Sequence, residues 1–264
     1  MEDVQQQTYQ HILVDVTDRI AYVVMNVPAK RNALSISHME ELTRCFQSIG
    51  EHKDVAAVIL QGNGPSFCAG HDLQELAGKT TEFYSRVFDV CTKMMESIQN
   101  MPQPVIAQVQ GTATAAGCQL VASCDLAYST NEAIFATPGV NIGLFCSTPM
   151  VAVSRKISRK RMMKMLLTGE SIKANYAKEI GLINDHFSKS RLNKEVLKVA
   201  KNIASKSNLT IKIGKKAFYK QLEMPLREAY KYTSKTMTLN MMSYDAKEGI
   251  SAFLQKRKPK WKNK

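Results

Sequence analysis

Short β-rich runs alternate with stretches of helical period along the first half of this chain, and that order admits few folds. HILVDV (11–16) and IAYVVMNV (20–27) are β-rich and are joined by Thr17-Asp18-Arg19, which reads as a hairpin turn. Ser37-His38-Met39-Glu40 has the Ser-x-x-Glu spacing of a capping box. Leu42, Cys45, Phe46 and Ile49 continue it as an amphipathic helix. AAVILQG (56–62) reads as a buried strand, and Val87, Val90, Cys91, Met94, Met95 and Ile98 recur at helical spacing within 80–100. PVIAQVQG (104–111) is a strand, a helix of small residues follows from about 114 to 123, and DLAYST (125–130) is a further strand. Strand–helix–strand order predicts parallel pairing with crossover helices. From about 150 onward the chain is almost wholly helical, with no Gly/Ser linker and no internal repeat. The expected architecture is an α/β core over 1–200 followed by a helical C-terminal segment over 201–264.

With 264 residues, 44% of them hydrophobic and 22% charged, the chain suits one large domain or a domain with a helical extension. No apolar run reaches the roughly 18 residues that span a membrane. The start, MEDVQQQTYQ, has neither an apolar signal core nor the Arg-rich, acid-poor pattern of a transit peptide, so a cytoplasmic location is expected. Six cysteines at 45, 68, 91, 118, 124 and 146 form no CxxC pair and read as reduced thiols. The net charge of +13 favours anionic partners, with much of it in KIGKKAFYK (212–220) and KRKPKWKNK (256–264). A solvated lysine surface accounts for most of it, and no RNA-recognition pattern accompanies it, so nucleic acid is not an expected partner.

Several familiar motifs fail. Gly62-Asn63-Gly64 lacks the third glycine of a dinucleotide fingerprint, and Pro65 breaks its turn. Gly78-Lys79-Thr80 imitates the end of a phosphate loop, but Leu73 stands where the first glycine belongs. Neither HExxH nor GxSxG occurs, and the five histidines show no metal-ligand spacing, so no metal site is expected.

Two strand-to-helix junctions remain, FCAGHDL (67–73) and QGTATAAGCQLVASCDLAY (110–128). Backbone N–H groups at such junctions lack internal partners and can face an electron-rich group. Together with NVPAKRNALS (26–35) and EGISAFLQKRKPKW (248–261), these junctions resemble the enoyl-CoA hydratase/isomerase, or crotonase, superfamily over nearly the whole chain. AGHDLQEL (69–76) and TPGVNIGLFCSTP (137–149) resemble one branch of it. The resemblance implies a crotonase-like ββα spiral core and an acyl-CoA thioester as substrate or ligand. It implies no separate cofactor, and a homotrimer or dimer of trimers. By position, the N–H groups of His71 and Ala116 would hold the thioester oxygen and stabilise an enolate. Ala69, Asp72, Leu73 and Gln74 would line the same ligand, and Lys30 and Arg31 would meet its phosphates or adenine. Phe253 and Lys256, three apart and so on one face if helical, would reach the adenine held by a neighbouring subunit.

The chain departs from the superfamily at both hydratase glutamates. Gln119 stands three residues after Ala116, and Gly139 follows Pro138 where the second glutamate belongs. A general acid or base contributes about 10²–10⁴ in rate, so hydration is expected to be weak or absent, and a decarboxylase- or hydrolase-type activity is favoured. His71, which resembles a histidine of the methylmalonyl-CoA decarboxylase branch, and Cys146, which aligns with an aspartate of naphthoyl-CoA synthases, are the candidate reacting side chains; the other readings are a histidine used only for its backbone and, favoured for Cys146, a buried inert thiol. Ser147 reads as a turn hydroxyl, and Gln119 and Asn141 can only donate or accept hydrogen bonds. Some naphthoyl-CoA synthases also carry glycine at the position of Gly139 and fill the vacated space with bicarbonate, which Gln119 could bind here. A non-catalytic acyl-CoA binder, or an RNA-binding relative using the basic run 212–220, are the alternative readings.

Overall fold

The computed structural model describes residues 8–264; the leader reading of the first seven residues lies outside the described part. β1 (Ile12–Thr17) and β2 (Ile20–Met25) pair antiparallel across Asp18 and Arg19, both at positive φ (53° and 66°). That is the hairpin read from sequence, closed by the turn whose twist matches the strands. Helix α1 (Ile36–Glu51) leads to β3 (Ala57–Gly62) and the short β4 (Ser66–Cys68). Next come α2 (Leu73–Leu76), α3 (Thr81–Asn100), β5 (Val105–Val109) and β6 (Thr112–Thr114). Then follow α4 (Ala116–Ser123), β7 (Leu126–Thr130), β8 (Ile134–Ala136), α5 (Ser147–Val153) and α6 (Arg159–Thr168). The chain ends with β9 (Ile172–Lys173), α7 (Ala174–Glu179), β10 (Asp185–Phe187) and helices α8 (Lys189–Ala204), α9 (Asn208–Leu222), α10 (Leu226–Met241) and α11 (Tyr244–Leu254).

Two sheets result. One has the order β1-β2-β3-β5-β7-β10, parallel throughout except for the hairpin, and the other has the order β4-β6-β8-β9. β3, β5 and β7 each pass directly into a short strand of the second sheet before the chain turns into helix or loop. Parallel crossover connection, expected from the strand–helix order, is therefore observed. The second sheet is not expected from sequence, because three-residue strands such as SFC, TAT and IFA are too short to show a period. Both faces of the first sheet are covered. Val58, Leu60, Val105 and Ala107 face the main core with α1 and α3, while Ala57, Ile59 and Ile106 pack on Leu192, Val196 and Ala200 of α8. This is why β3 reads as an unbroken apolar run instead of an alternating one.

Some local expectations shift. The cap of α1 is Ser35, whose Oγ accepts from His38 N (3.2 Å), so Ser37-His38-Met39-Glu40 lies inside the helix. The small-residue helix begins at Ala116, because Thr112–Thr114 pairs with β4 and β8 first. All six cysteines are free and buried.

The basic C-terminal part is more fastened than its composition suggests. Lys215 Nζ donates to Asp125 Oδ2 (2.7 Å), Ile98 O (2.8 Å) and Gln103 O (2.9 Å), and Tyr219 OH donates to Asp125 Oδ1 (2.8 Å). These bonds pin α9 onto the α/β core. Asp245, in the first turn of α11, accepts from the backbone of Lys262 (2.7 Å) and Asn263 (2.9 Å) beyond the helix, and Trp261 Nε1 donates to Ser205 O (2.9 Å). The last residues thus strap α11 to the start of α9, and part of the positive charge serves packing.

Candidate active site

Both junctions found in the sequence meet in space. After β4 the chain turns at Gly70 (φ +95°), and after β6 it turns at Ala115 (φ 50°, ψ −119°) into α4. A methyl placed on Gly70 would lie 3.0 Å from Ala115 Cβ, 3.1 Å from Thr114 O and 3.4 Å from Ala116 N. Only a residue without a side chain lets the first junction come this close to the second. Gly117 has the same role one step on, since a methyl there would overlap the carbonyl of Cys68. Thr114 Oγ1 donates across the pair to Ala69 O (3.0 Å), and Ala115 N fixes the second junction to β8 by donating to Ala136 O (2.9 Å).

The loop after β2 braces the first junction from the other side. Leu34 N donates to Gly70 O (2.8 Å), Asp72 N donates to Leu34 O (3.1 Å), and Ala69 N donates to Arg31 O (3.1 Å). Asn32, fully buried, ties that loop down: its Oδ1 accepts from Val27 N, and its Nδ2 donates to Asn63 O and Ser66 O, all at 2.9 Å. Asp72 caps α2 by accepting from Gln74 N (3.1 Å) and pairs with Lys30 Nζ at 2.6 Å. These bonds, with burial opposing them, leave the Asp72 carboxyl below its ordinary range. In this arrangement the N–H groups of His71 and Ala116 have no acceptor among the described residues. Two unpaired backbone donors at neighbouring junctions are what an anionic oxygen needs.

The side chains around them are mostly sealed. His71 stands edge-on to Phe88 of α3, with centroids 5.6 Å apart and planes at 82°, and its Nε2 is buried without a partner among the described residues. Burial pushes the imidazole down to about 4, so it is neutral at pH 7. Gln119, on the inner side of α4, is 6% exposed and its Oε1 is likewise unpartnered. Thr137 Oγ1 is a third buried polar atom without a partner, one residue after the carbonyl that receives Ala115 N–H.

Gly139 and Cys146 form one closed loop. Gly139 N donates to Cys146 Sγ (3.3 Å), and a methyl on Gly139 would lie 2.8 Å from Leu144 O and 3.0 Å from Cys146 Sγ. The direction of any side chain at 139 is therefore filled by the chain itself. A bicarbonate standing in for a side chain at 139 has no vacated space along that line. Cys146 is buried, and burial raises its thiol above the ordinary range, which disfavours the thiolate that a nucleophile requires. Ser147 is exposed and bonds Phe145 O (3.3 Å), as a turn hydroxyl does. Asn141 is exposed and packs against Gly169.

The remaining expected ligand residues are spread over the surface. Leu73 and Gln74 are exposed beside the junction, Lys30 is engaged by Asp72, and Arg31 is exposed. Phe253 is 81% exposed near the end of α11. Helix α11 stops at Leu254 and Lys256 has φ 54°, so these two do not share a continuous helix face, contrary to the spacing argument. Among the described residues, no three His, Cys, Asp or Glu side chains are grouped to hold a metal. Sequence reasoning passed over Asn32, Phe88 and Thr137. An asparagine in a loop, an aromatic 17 positions from His71 and a lone threonine carry no signal until they are folded together.

Comparison with known proteins agrees with this geometry. A family model described as enoyl-CoA hydratase/isomerase matches residues 15–264. The human enoyl-CoA hydratase domain-containing protein 3, mitochondrial, is 46% identical over 245 residues, covering 92% of this chain and 81% of that protein. Its crystal structure aligns with a TM-score of 0.93 at 44% identity, covering 96% of this chain and 100% of that one. An enoyl-CoA hydratase of Mycobacterium smegmatis aligns with a TM-score of 0.94 at 44% identity over 96% of this chain and 99% of that chain. The cytoplasmic expectation is overturned here, since the human and rat relatives are mitochondrial proteins. A compartment address is read from segments separate from the packed body, so the folding pattern does not report it. The α/β fold has its counterpart in these relatives, and the chain belongs to the enoyl-CoA hydratase/isomerase family.

Proposed function

We propose that this protein binds an acyl-CoA thioester with its carbonyl oxygen on the N–H groups of His71 and Ala116, and stabilises the enolate that forms there. The observation that carries this reading is the close approach of Gly70 to Ala116 N, with both neighbouring N–H groups unpaired. One such donor is worth about 3–4 kcal/mol in a transition state. Hydration is disfavoured: Gln119 cannot exchange a proton, and the space of a side chain at 139 is taken by Leu144 O and Cys146 Sγ. Decarboxylation of a 2-carboxyacyl thioester needs neither group. The bond between Cα and the carboxylate breaks, CO₂ leaves, and the electron pair moves through Cα to the thioester oxygen held by the two amides. Solvent water then returns a proton to Cα. His71, neutral beside Phe88, shapes the site and carries no charge of its own at pH 7.

Turnover of crotonyl-CoA beside malonyl-CoA and methylmalonyl-CoA tests the reading. Loss of carboxylate from a branched substrate, with no hydration of crotonyl-CoA, is the expected result. Hydration at ordinary enzymatic rates would sink it. Saturable acyl-CoA binding with no reaction on any thioester would make the protein a binder only, and thioester cleavage would place it with the hydrolases.

The same reading makes the protein oligomeric. Leu222, Leu226, Met237, Phe253 and Leu254, on α9 to α11, are exposed large apolar side chains. A second and third copy of the chain cover them, with Phe253 and Lys256 reaching a neighbour's ligand. Light scattering should give about three or six times the 29.5 kDa chain mass, and Leu226→Glu with Phe253→Glu should lower it; a monomer in the unsubstituted protein would refute the assembly.

A further inference from the structure

The two N–H donors of the proposed site are aimed by different means. In a trans peptide the C=O and the N–H of one plane point in opposite directions, so whatever holds the carbonyl sets the direction of the N–H. Ala116 N–H shares its plane with Ala115 O, which accepts from Gln119 N (3.1 Å) in the first turn of α4. That helix aims its own donor. His71 N–H shares its plane with Gly70 O, which accepts from Leu34 N (2.8 Å) in the loop before α1. Leu34 O accepts from Asp72 N (3.1 Å) on the far side of His71. The aim of the first donor therefore depends on Leu34.

One plane further back, Leu34 N–H shares its peptide with Ala33 O, which lies 3.1 Å from Nδ1 of His38 in the first turn of α1. His38 is fully buried, and burial pushes it down to about 4, so the ring is neutral at pH 7 and holds one N–H. A carbonyl only accepts, so that hydrogen is on Nδ1. The other tautomer would set a lone pair against the Ala33 oxygen. Nε2 has no partner among the described residues to reverse this choice. Stacking on His11, with centroids 5.8 Å apart and planes at 23°, holds the ring in place. Hydrogen bonds in such a row polarise one another, and each N–H donates better when the carbonyl of its own peptide is bonded.

We infer that His38 is a positioning residue for the first oxyanion donor, acting through two peptide planes: His38 Nδ1–H on Ala33 O, Leu34 N–H on Gly70 O, and His71 N–H on the thioester oxygen. The inference rests on the thioester reading above and extends that site to a side chain two peptide planes from the ligand.

Isotope-edited infrared spectra of butyryl-CoA, labelled with carbon-13 at the thioester carbonyl and bound to the full chain, test it. This thioester has no carboxylate to lose, so it reports on the two donors without turnover. Binding to the unsubstituted protein should lower the carbonyl frequency. His38→Phe keeps a ring and removes the N–H; it should return about half of that shift, since one of two donors loses its aim. His38→Asn places an amide N–H as many bonds from the backbone as Nδ1, and should restore the shift. With the carboxylated substrate, kcat should fall about tenfold in His38→Phe and recover in His38→Asn, while KM changes less than about twofold. If His38→Phe fails to fold, nitrogen-15 NMR of the unsubstituted protein decides, with the His38 signal identified by its loss in His38→Asn; it should show Nδ1 protonated. Hydrogen on Nε2, an unchanged carbonyl frequency in His38→Phe, or a loss in His38→Asn equal to that in His38→Phe would each overturn the inference and leave the thioester reading standing. No saturable binding, or no frequency shift in the unsubstituted protein, would overturn both.

Discussion

Replacing Gly70 with alanine should lower turnover of the acyl-CoA substrate by about 10²–10³, the loss that follows removal of one oxyanion donor. Two effects act together. At φ +95° an L-residue is strained, a cost of order 1–3 kcal/mol. The added methyl also meets Ala115 Cβ at 3.0 Å and Thr114 O at 3.1 Å, both parts of the second junction's framework. Relief comes by separating the junctions, which moves His71 N–H away from Ala116 N–H. Binding of CoA itself should change less, on the proposal that Lys30, Arg31 and the C-terminal residues hold its phosphates and adenine, because the nearest neighbours of the added methyl are Ala115, Thr114 and Ala116. Steady-state rates paired with a CoA titration decide the matter. A variant that folds and retains wild-type turnover would show that the junction contact does not position the reacting carbonyl.

The largest stability change is expected from Lys215→Met. Its ammonium, in a side chain 6% exposed, holds three acceptors at the join of α9 to the core. Methionine fills much of the same space but leaves the Asp125 carboxylate with only the Val105 N–H (2.7 Å) and the Tyr219 hydroxyl (2.8 Å). Breaking such a pair on one side costs about 3–5 kcal/mol. Chemical denaturation should show a loss of that size, with the double variant Lys215→Met, Asp125→Asn recovering part of it. A loss under about 1 kcal/mol would place Lys215 with exposed ion pairs. One lysine of the basic run 212–220 is thus spent on packing, while Lys212, Lys216 and Lys220 stay exposed.

Much of the fold is legible in the residues. Ala57, Val58, Ile59 and Leu60 form an apolar run that only a strand covered on both faces needs, and α8 and the main core cover it. Met94, Met95 and Ile98 recur with a helix's period and are buried on one face of α3. Legibility ends where an element is too short or a partner too distant. Ser66–Cys68, Thr112–Thr114 and Ile134–Ala136 hold the second sheet with three residues each, below any readable period. Ser35 outcompetes Ser37 as a cap because Ile36 N is already held by Glu75 Oε2 (3.0 Å), from a helix 39 positions away.

The candidate site divides the same way. The two junctions, NVPAKRNALS (26–35) and EGISAFLQKRKPKW (248–261) are properties of the chain itself and carry the resemblance to the family, and the absence of glutamate at 119 and 139 is enough to question hydration. Backbone conformation and period are local, so a linear sequence states them directly. Three further features belong to the folded molecule alone. The imidazole of His71 is neutral because the folded chain buries it, edge-on to Phe88 of α3, the space beside Gly139 is closed because the loop returns Leu144 and Cys146 to it, and Lys215 is a packing residue because Asp125 waits beneath α9. Each depends on what surrounds a group, and desolvation is set by neighbours that only tertiary packing assembles.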